Sequence, residues 1–268
     1  MATRDPLGHS LLLLRWMAEQ PETWFGVRDV ASRLDMSPSS VSRLLGRLAD
    51  EDLLKQDAQN GRYALSLELM RLGRLVADKL DITAIARQHL QHVSDLTNET
   101  VFLGLYDPAR RQMLLALMSA ASQPLTYTLQ LNSWLELFRG ASGLSILAFL
   151  PPEQRDALVG LAEADARDDE PWLSRESIQA DMAEIRHKGY GLSHGHRLRG
   201  AIGVSAPVFD VEGNVVASVT LTIPDVRWAD HDETEVSELV VACAASITRE
   251  LGGHTSTSFA LDDEPTRG

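Results

Sequence analysis

The chain has 268 residues, a mass of 29.5 kDa, 44% hydrophobic residues and a formal net charge of −13. This length predicts one large domain or two ordinary ones, and the apolar content excludes wholesale disorder. The longest apolar runs, Leu11–Leu14 and Leu144–Leu150, are far shorter than the ~20 residues of a membrane span. The sequence therefore predicts a protein with no membrane helix.

Cysteine usage and the amino terminus predict a cytoplasmic protein. Cys243 is the single cysteine of the chain, which excludes an internal disulfide and a cysteine-based zinc site. The first residues, Met1–His9, lack the layout of a signal peptide.

The negative charge is concentrated in the second part of the chain. Residues 1–70 hold eight basic and ten acidic side chains, a net of −2, whereas residues 71–268 hold 17 and 28, a net of −11. A general nucleic-acid coat is excluded by this balance, but the nearly neutral first part is compatible with specific DNA binding.

Residues 1–66 have the pattern of a winged helix-turn-helix. A helix over 7–20 is followed by a second, short helix and by a third that begins after Ser37 as N-cap and Pro38 as first residue. The second and third helices each repeat apolar residues at i, i+3, i+4 and i+7. Two short strands, Leu53–Gln56 and Arg62–Leu65, flank an Asn-Gly turn and form the predicted wing.

The third helix presents a small, polar outward face that fits a DNA major groove. Serine hydroxyls can reach phosphates or base edges, and an arginine can pair with a guanine edge. Because residues 23–67 carry six basic and six acidic side chains, a three-helix packing module without a DNA role is the competing interpretation. The predicted DNA-binding residues are Arg28, Ser37, Ser39, Ser40, Ser42, Arg43, Arg47 and Arg62.

The rest of the chain predicts a linker helix and an α/β domain, so that the fold class is α+β. The linker helix, residues 67–81, has an apolar side that neither domain obviously covers, which predicts at least a homodimer. Residues 82–252 alternate helices with strands, which are predicted at Thr100–Tyr106, Met113–Met118, Leu125–Leu131, Tyr190–Ser193, Ala201–Phe209 and Val215–Ile223. A Gly-rich loop, residues 140–143, is predicted to lead into an apolar helix that ends at Leu150. Residues 253–268 are predicted to be a disordered, acidic tail.

The second domain has few of the sequence motifs that are typical of enzymes. No nucleophile elbow or P-loop occurs, so we predict no catalytic residue and no cofactor. The basic run His194–Arg199 allows three interpretations: a metal site, a solvated loop, or a cationic lid over an anionic ligand. The metal site is the weakest of these interpretations, and we predict no metal-binding residue. Thr220 and Thr222 alternate on one predicted strand face, so both hydroxyls can point into one cavity.

Two segments resemble the IclR-type bacterial transcriptional regulators. Phe25–Gly73, with the run Ser37-Pro38-Ser39-Ser40-Val41-Ser42-Arg43, resembles their winged-helix domain, and Gly189–Pro224 resembles their effector domain. The resemblance covers about residues 8–252 and implies a dimeric or tetrameric repressor or activator with a GAF-like sensor domain. The chain departs from the family pattern at Asp35, where glycine is usual, and at Phe138, where histidine is usual.

The resemblance implies an effector pocket and a double-stranded DNA operator. A dimer would bind a near-palindromic operator and be switched by a small organic effector, expected to be a carboxylate with an apolar or aromatic body. The alternative is a small-molecule-binding or hydrolytic domain with an amino-terminal packing module and no DNA role. The family pocket falls on Ala141, Ser142, Ser193, Ala201, Gly203, Thr220 and Thr222, to which we add Phe138 and, from the basic run, Arg197.

Overall fold

A computed structural model describes residues 6–77, 81–123, 129–167 and 170–254. The chain divides into two compact units, Met1–Lys79 and Leu80–Gly268. The predicted tail, residues 253–268, lies outside the described residues from position 255 onward.

The first unit contains the predicted helices and hairpin. Its elements are α1 (Pro6–Glu19), α2 (Val27–Leu34), α3 (Pro38–Asp50), β1 (Leu54–Gln56), β2 (Tyr63–Leu65) and α4 (Leu67–Ala77). The strands pair antiparallel, with Lys55 opposite Ala64, and Gly61 turns the chain between them at a positive φ of 68°. An isolated bridge between Phe25 and Tyr63 ties the loop before α2 to the hairpin.

Four apolar residues of α3 form the centre of this unit's core. Their spacing of i, i+3, i+4 and i+7 places Val41, Leu44, Leu45 and Leu48 on one buried side. They pack against Leu13 and Met17 of α1, Val30 and Ala31 of α2, and Leu54 and Tyr63 of the hairpin. The opposite side of α3 is thereby left to solvent.

The second unit is a six-stranded antiparallel sheet with helices on both faces. The sheet order is β5-β4-β3-β8-β7-β6. Its strands are β3 (Thr100–Asp107), β4 (Gln112–Ser119), β5 (Trp134–Glu136), β6 (Gly191–His194), β7 (Ala201–Phe209) and β8 (Val215–Pro224). Its helices are α5 (Asp81–Thr97), α6 (Gly140–Leu147), α7 (Pro152–Asp165), α8 (Arg175–Lys188), α9 (Asp225–Trp228) and α10 (Glu233–Glu250), with a 3-10 turn at Pro171–Leu173.

Each face of the sheet has its own core. Helices α5 and α10 cover one face, where Leu90 and Cys243 pack against alternate residues of the strands, such as Leu103 and Val219. Helices α6, α7 and α8 form a second core with Met113 of β4. The α6 face contains a cavity, part of which is lined by glycine, alanine, serine and threonine rather than by large apolar side chains.

Two predicted elements differ from the structure. The strand predicted over Leu125–Leu131 is wrong in the part that is described, because Leu131 is in a turn. Residues 124–128 lie outside the described residues. The edge strand begins later because Asn132, at a φ of 63°, reverses the chain and its N–H donates to the Leu115 carbonyl. Helix α6 begins at Gly140, within the predicted loop, and ends at Leu147 rather than Leu150.

Candidate functional site

The turn between α2 and α3 adopts the left-handed conformation that a helix-turn-helix requires. Asp35 ends α2 at φ 51° and ψ 49°, and its N–H donates to the Ala31 carbonyl. Aspartate tolerates this region better than most residues other than glycine and asparagine. The departure from the usual glycine therefore leaves the geometry of the turn intact.

The serines at the start of α3 form a cluster of hydroxyls. Ser37 is the N-cap, as predicted, and its Oγ accepts a hydrogen bond of 3.2 Å from the Ser40 N–H. The same oxygen lies 2.8 Å from Ser40 Oγ and 3.1 Å from Ser39 Oγ. The cluster fixes the amino-terminal turn of α3 and leaves polar atoms at the surface.

Three further predicted side chains lie exposed on α3, and two lie elsewhere. Ser42, Arg43 and Arg47 are exposed, with Arg43 bordering a shallow cleft next to Ser37 and Ser40. Arg28 and Arg62 line a different cleft, between α2 and the hairpin. The predicted set is thus divided into the surface of α3 and a second, basic cleft.

The positive charge of the second cleft is partly neutralised by neighbouring groups. The Arg62 guanidinium donates to the Trp24 carbonyl at 2.9 Å and lies 3.7 Å from Asp29 Oδ2. The Lys55 ammonium lies 5.1 Å from the centre of the Trp24 ring. An exposed pair of this kind is weak, so Arg62 can exchange its carboxylate partner for a phosphate.

On the α6 face of the sheet lies a small cavity that is polar on one side. It is small, with a volume of about 40 Å³, so a ligand as large as an aromatic ring would have to widen it. Eight of the nine predicted effector residues line it: Ala141, Ser142, Ser193, Arg197, Ala201, Gly203, Thr220 and Thr222. Lining residues that the sequence reasoning missed are Phe102, Gly104, Met113, Leu115, Leu129, Gly140, His196 and Leu198.

The threonines of β8 form the floor of the cavity. Thr222 lies opposite Gly203 of β7, and Thr220 lies opposite Phe102 of β3. The Thr220 hydroxyl donates to Ser205 Oγ at 2.9 Å, so it offers only its lone pairs to a ligand. A methyl group on Gly203 would come within 3.3 Å of Ser193 Oγ, so glycine keeps this part of the floor open.

The amino terminus of α6 forms one wall. Gly140 has a positive φ of 71°, and a methyl group there would lie 3.2 Å from Arg197 Cβ. The Ala141 N–H donates to Ser193 Oγ at 3.0 Å. That amide is therefore already satisfied and is not a free donor for an anion. Ser142 lines the cavity one residue further along the helix.

Arg197 is a buried cation in the cavity wall. Its side chain is 13% exposed, and its Nη2 donates to the carbonyls of Glu136 and Arg139 at 2.7 and 2.5 Å. Nη1 lies 4.0 Å from Glu136 Oε2. Burial lowers the pKa of Arg197 to about 10, so it remains charged at neutral pH. A solvated loop is therefore the wrong interpretation for this residue.

The Nε–H of Arg197 has no hydrogen-bond partner within the part of the chain that the structure describes. Buried donors are nearly always paired, with protein or with another molecule. An unsatisfied N–H on a charged group at a cavity wall is a docking point for an acceptor, and best for an anion.

His196 lines the cavity as a neutral ring. Its imidazole stacks on Trp172 with centroids 4.7 Å apart and an angle of 3°. Burial, and then the neighbouring His194, lower the pKa of His196. Arg139, the residue before α6, forms ion pairs with Asp165 and Glu170. Glu170 lies two residues before Trp172 in the chain.

Phe138 is the predicted pocket residue that the structure does not place in the cavity wall. It is 6% exposed and packs in the second core, with Leu137 and residues of α6 to α8. The chain turns between β5 and α6 at this point, and that turn directs the ring into the core. The apolar side of the cavity is formed instead by Phe102, Met113, Leu115, Leu129 and Leu198.

Within the described ranges, no group of three or more His, Cys, Asp or Glu side chains is placed to hold a metal ion. The same residues contain no helix long and apolar enough to cross a membrane.

Family models match both parts of the chain. Residues 6–58 match the IclR helix-turn-helix domain, and residues 74–249 match the bacterial transcriptional regulator IclR C-terminal domain. The chain belongs to the IclR family of bacterial transcriptional regulators. It therefore has a DNA-binding helix-turn-helix and a ligand-binding carboxy-terminal domain, and the hydrolytic alternative is set aside.

Relatives span nearly the whole chain. The HTH-type transcriptional regulator KdgR of Escherichia coli is 24% identical over 246 residues, with 90% of each chain covered. The crystal structure of the Thermotoga maritima IclR is 24% identical, with a TM-score of 0.75 and coverage of 92% of this chain and 98% of that one. An IclR homolog from Microbacterium hydrocarbonoxydans, complexed with 4-hydroxybenzoate, is 18% identical, with a TM-score of 0.77 and coverage of 92% and 99%.

Proposed function

We propose that this IclR-family regulator binds a near-palindromic operator as a dimer or tetramer and is switched by a small organic carboxylate with an apolar or aromatic body. The unpartnered Nε–H of the buried Arg197, in the wall of the cavity, is the observation that carries the effector class. Related regulators add support, since one neighbour in structure is complexed with 4-hydroxybenzoate, a carboxylate with an aromatic ring.

A carboxylate fits the polar side of the cavity. One oxygen would accept from Arg197 Nε–H in a charge-assisted hydrogen bond. The Thr222 hydroxyl would meet the ligand on the floor of the cavity, which Thr222 lines. The apolar body would then contact Phe102, Leu115 and Leu198 on the other side.

The exposed surface of α3 would contact the bases of the operator. Arg43 and Arg47, four residues apart, project from the side opposite the buried leucines, which is the side that would enter the major groove. Arg28, Arg62 and the serine hydroxyls of the α3 amino terminus would contact phosphates. Because the domain as a whole is nearly neutral, affinity depends on the placement of these few cations.

The operator can be tested with the chain's own upstream DNA. We expect a salt-sensitive mobility shift at submicromolar protein, competed poorly by unrelated DNA. Equal competition by unrelated DNA would contradict a specific operator.

The effector class can be tested by calorimetric titration of benzoate, phenylacetate and butyrate, with benzyl alcohol and benzamide as neutral controls. We expect acids to bind and the neutral molecules to bind at least tenfold more weakly. Thr222→Val, a change of nearly equal shape, should weaken binding, and Arg197→Lys should weaken it more because Lys cannot place a donor at the Nε position. Tight binding of a neutral compound that is insensitive to Arg197→Lys would overturn the carboxylate proposal.

A further inference from the structure

A buried hydroxyl without a partner lies next to the end of the cavity that is lined by Gly104 and Met113, which we call the deep end. Ser218 is fully buried, and its Oγ has no hydrogen-bond partner within the described residues. Such groups are rare in folded proteins because desolvating a hydroxyl without pairing it is unfavourable. The position of Ser218 therefore needs an explanation.

Strand register places this hydroxyl in line with the cavity floor. Ser218, Thr220 and Thr222 alternate along β8 and share one sheet face. Ser218 lies opposite Gly104 of β3, in the same way that Thr220 lies opposite Phe102. Gly104, Phe102, Thr220 and Thr222 all line the cavity. Ser218 is the next position along the same row, just behind the lining.

Gly104 is the lining residue next to that hydroxyl. A methyl group at Gly104 would lie 3.4 Å from Ser218 Oγ and 3.0 Å from Met113 Sδ. Gly104 and Met113 both line the cavity, so the Ser218 hydroxyl lies directly behind this part of the lining, and a ligand atom reaches it when the Met113 side chain shifts. A bulge in the β3–β4 pairing at Leu103 and Gly104 occurs at the same place.

The hydroxyls of Thr220 and Ser205 on this face are already paired, whereas that of Ser218 is not. Thr220 Oγ1 donates to Ser205 Oγ, and Ser205 Oγ donates to the Val219 carbonyl at 3.0 Å. Ser218 is thus an unused donor and acceptor directly behind the part of the lining formed by Gly104 and Met113.

We propose that Ser218 is a specificity-determining residue that binds a neutral polar group of the effector, a hydroxyl or a keto oxygen, at the end of the molecule remote from its carboxylate. The inference rests on the proposed function, which places the carboxylate at Arg197. The remote group is neutral because the residues that line the deep end, Gly104 and Met113, carry no charge, and an ionised group there would be desolvated without a partner. The effector is then a compact hydroxy or oxo acid with an apolar middle.

Matched pairs of acids test this inference. Benzoate is compared with 3-hydroxybenzoate and 4-hydroxybenzoate, and butyrate with 4-hydroxybutyrate, by calorimetric titration of the full-length protein. We expect at least one hydroxy acid to bind tenfold or more tightly than its parent. Ser218→Ala should reduce that ratio to about one without weakening the binding of the parent acid, because the alanine removes only the remote hydrogen bond. Gly104→Ala should also reduce the ratio, because its methyl group would lie 3.4 Å from Ser218 Oγ and separate that hydroxyl from the cavity.

The control is Ser32→Ala, an exposed serine of α2, which should leave the ratio unchanged. Melting curves establish that each variant is folded. If the hydroxy acids keep their advantage in Ser218→Ala, or never have one in the wild type while the parent acids bind, the inference is overturned and the proposed carboxylate site stands. If no acid of either kind binds, the proposed effector class fails, and the assignment of Ser218 fails with it.

Discussion

Arg43 is the side chain on which the proposed reading of operator bases depends most. It is exposed on α3 and borders the serine cluster. We expect Arg43→Ala to weaken operator binding by about 1–3 kcal/mol, the usual value of a bidentate contact to a base, and to reduce discrimination against unrelated DNA. Thermal stability should change little, because the guanidinium makes no buried contact.

A charge-matched control separates base reading from general attraction. Arg15 is exposed on α1, so Arg15→Ala removes the same charge from the same domain. Fluorescence anisotropy with operator and with scrambled DNA gives the two affinities. If both variants lose affinity equally for both DNAs, α3 does not read the operator.

The role of a side chain was predictable where it depends on neighbours in the sequence, and was not predictable where it depends on contacts with distant parts of the chain. Ser37 was predicted as an N-cap because its role depends on the next three residues alone. Arg197 looked equally suited to a solvated loop, since nothing near it in sequence reveals that Glu136 and Arg139 supply its carbonyl acceptors. Phe138 was misplaced for the same reason, because its surroundings come from α6 to α8.

Helix α6 joins the effector cavity to the core, and Gly140 sets how it begins. At a φ of 71° a residue with a side chain is strained by roughly 1–2 kcal/mol, and its methyl group would press on Arg197 Cβ. We expect Gly140→Ala to lower the free energy of unfolding by about that amount or more. It should also weaken acid binding, because Arg197 and the α6 amino terminus can no longer keep their spacing.

Gly160 is the matched control for this change. It lies inside α7, and a methyl group there would meet no atom within 4 Å. Gly160→Ala should therefore stabilise the protein by roughly 0.5–1 kcal/mol and leave acid binding unaltered. Chemical denaturation of both variants makes the comparison, and equal effects would show that the conformation at Gly140 is not what positions α6.

Elements with a clear period were found from the sequence, and those with mixed signals were not. Helix α3 and strand β8 repeat apolar residues at helical and strand spacing, so the start of α3 and both ends of β8 were predicted within two residues of those observed. Strand β5 has three residues and one partner. Its position depends on the reversal of the chain at Asn132. The apolar pattern alone instead favours a strand over Leu125–Leu131, the more apolar segment just upstream.

Assembly of the whole molecule is expected to involve α4. Leu72, Leu75 and Val76 are 39%, 45% and 59% exposed in the single chain, and an isolated helix of this length is marginal without a packing partner. We expect a mass of at least twice 29.5 kDa by sedimentation at micromolar concentration. A particle of 29.5 kDa would contradict both the dimer and the argument for a palindromic operator.

A charged substitution tests whether α4 is the contact. Val76→Glu should raise the dissociation constant tenfold or more, because an unpaired carboxylate would be buried between subunits. Val211→Glu is the same change at a turn residue that is 68% exposed and outside the linker helix, and it should leave the mass unchanged. A dimer that survives Val76→Glu would have to be formed by another surface.

The position of the single cysteine has a practical consequence for measuring these assemblies. Cys243 is buried between α10 and the sheet, and burial raises the pKa of its thiol to about 12, so thiol reagents should leave it unmodified in the native protein. The wild-type chain is therefore a ready background for site-directed spin labelling. A nitroxide on Ser42→Cys would place one label on each α3 of a dimer, and pulsed dipolar spectroscopy would then report whether an acid moves the two helices toward or away from the ~34 Å spacing of successive major grooves.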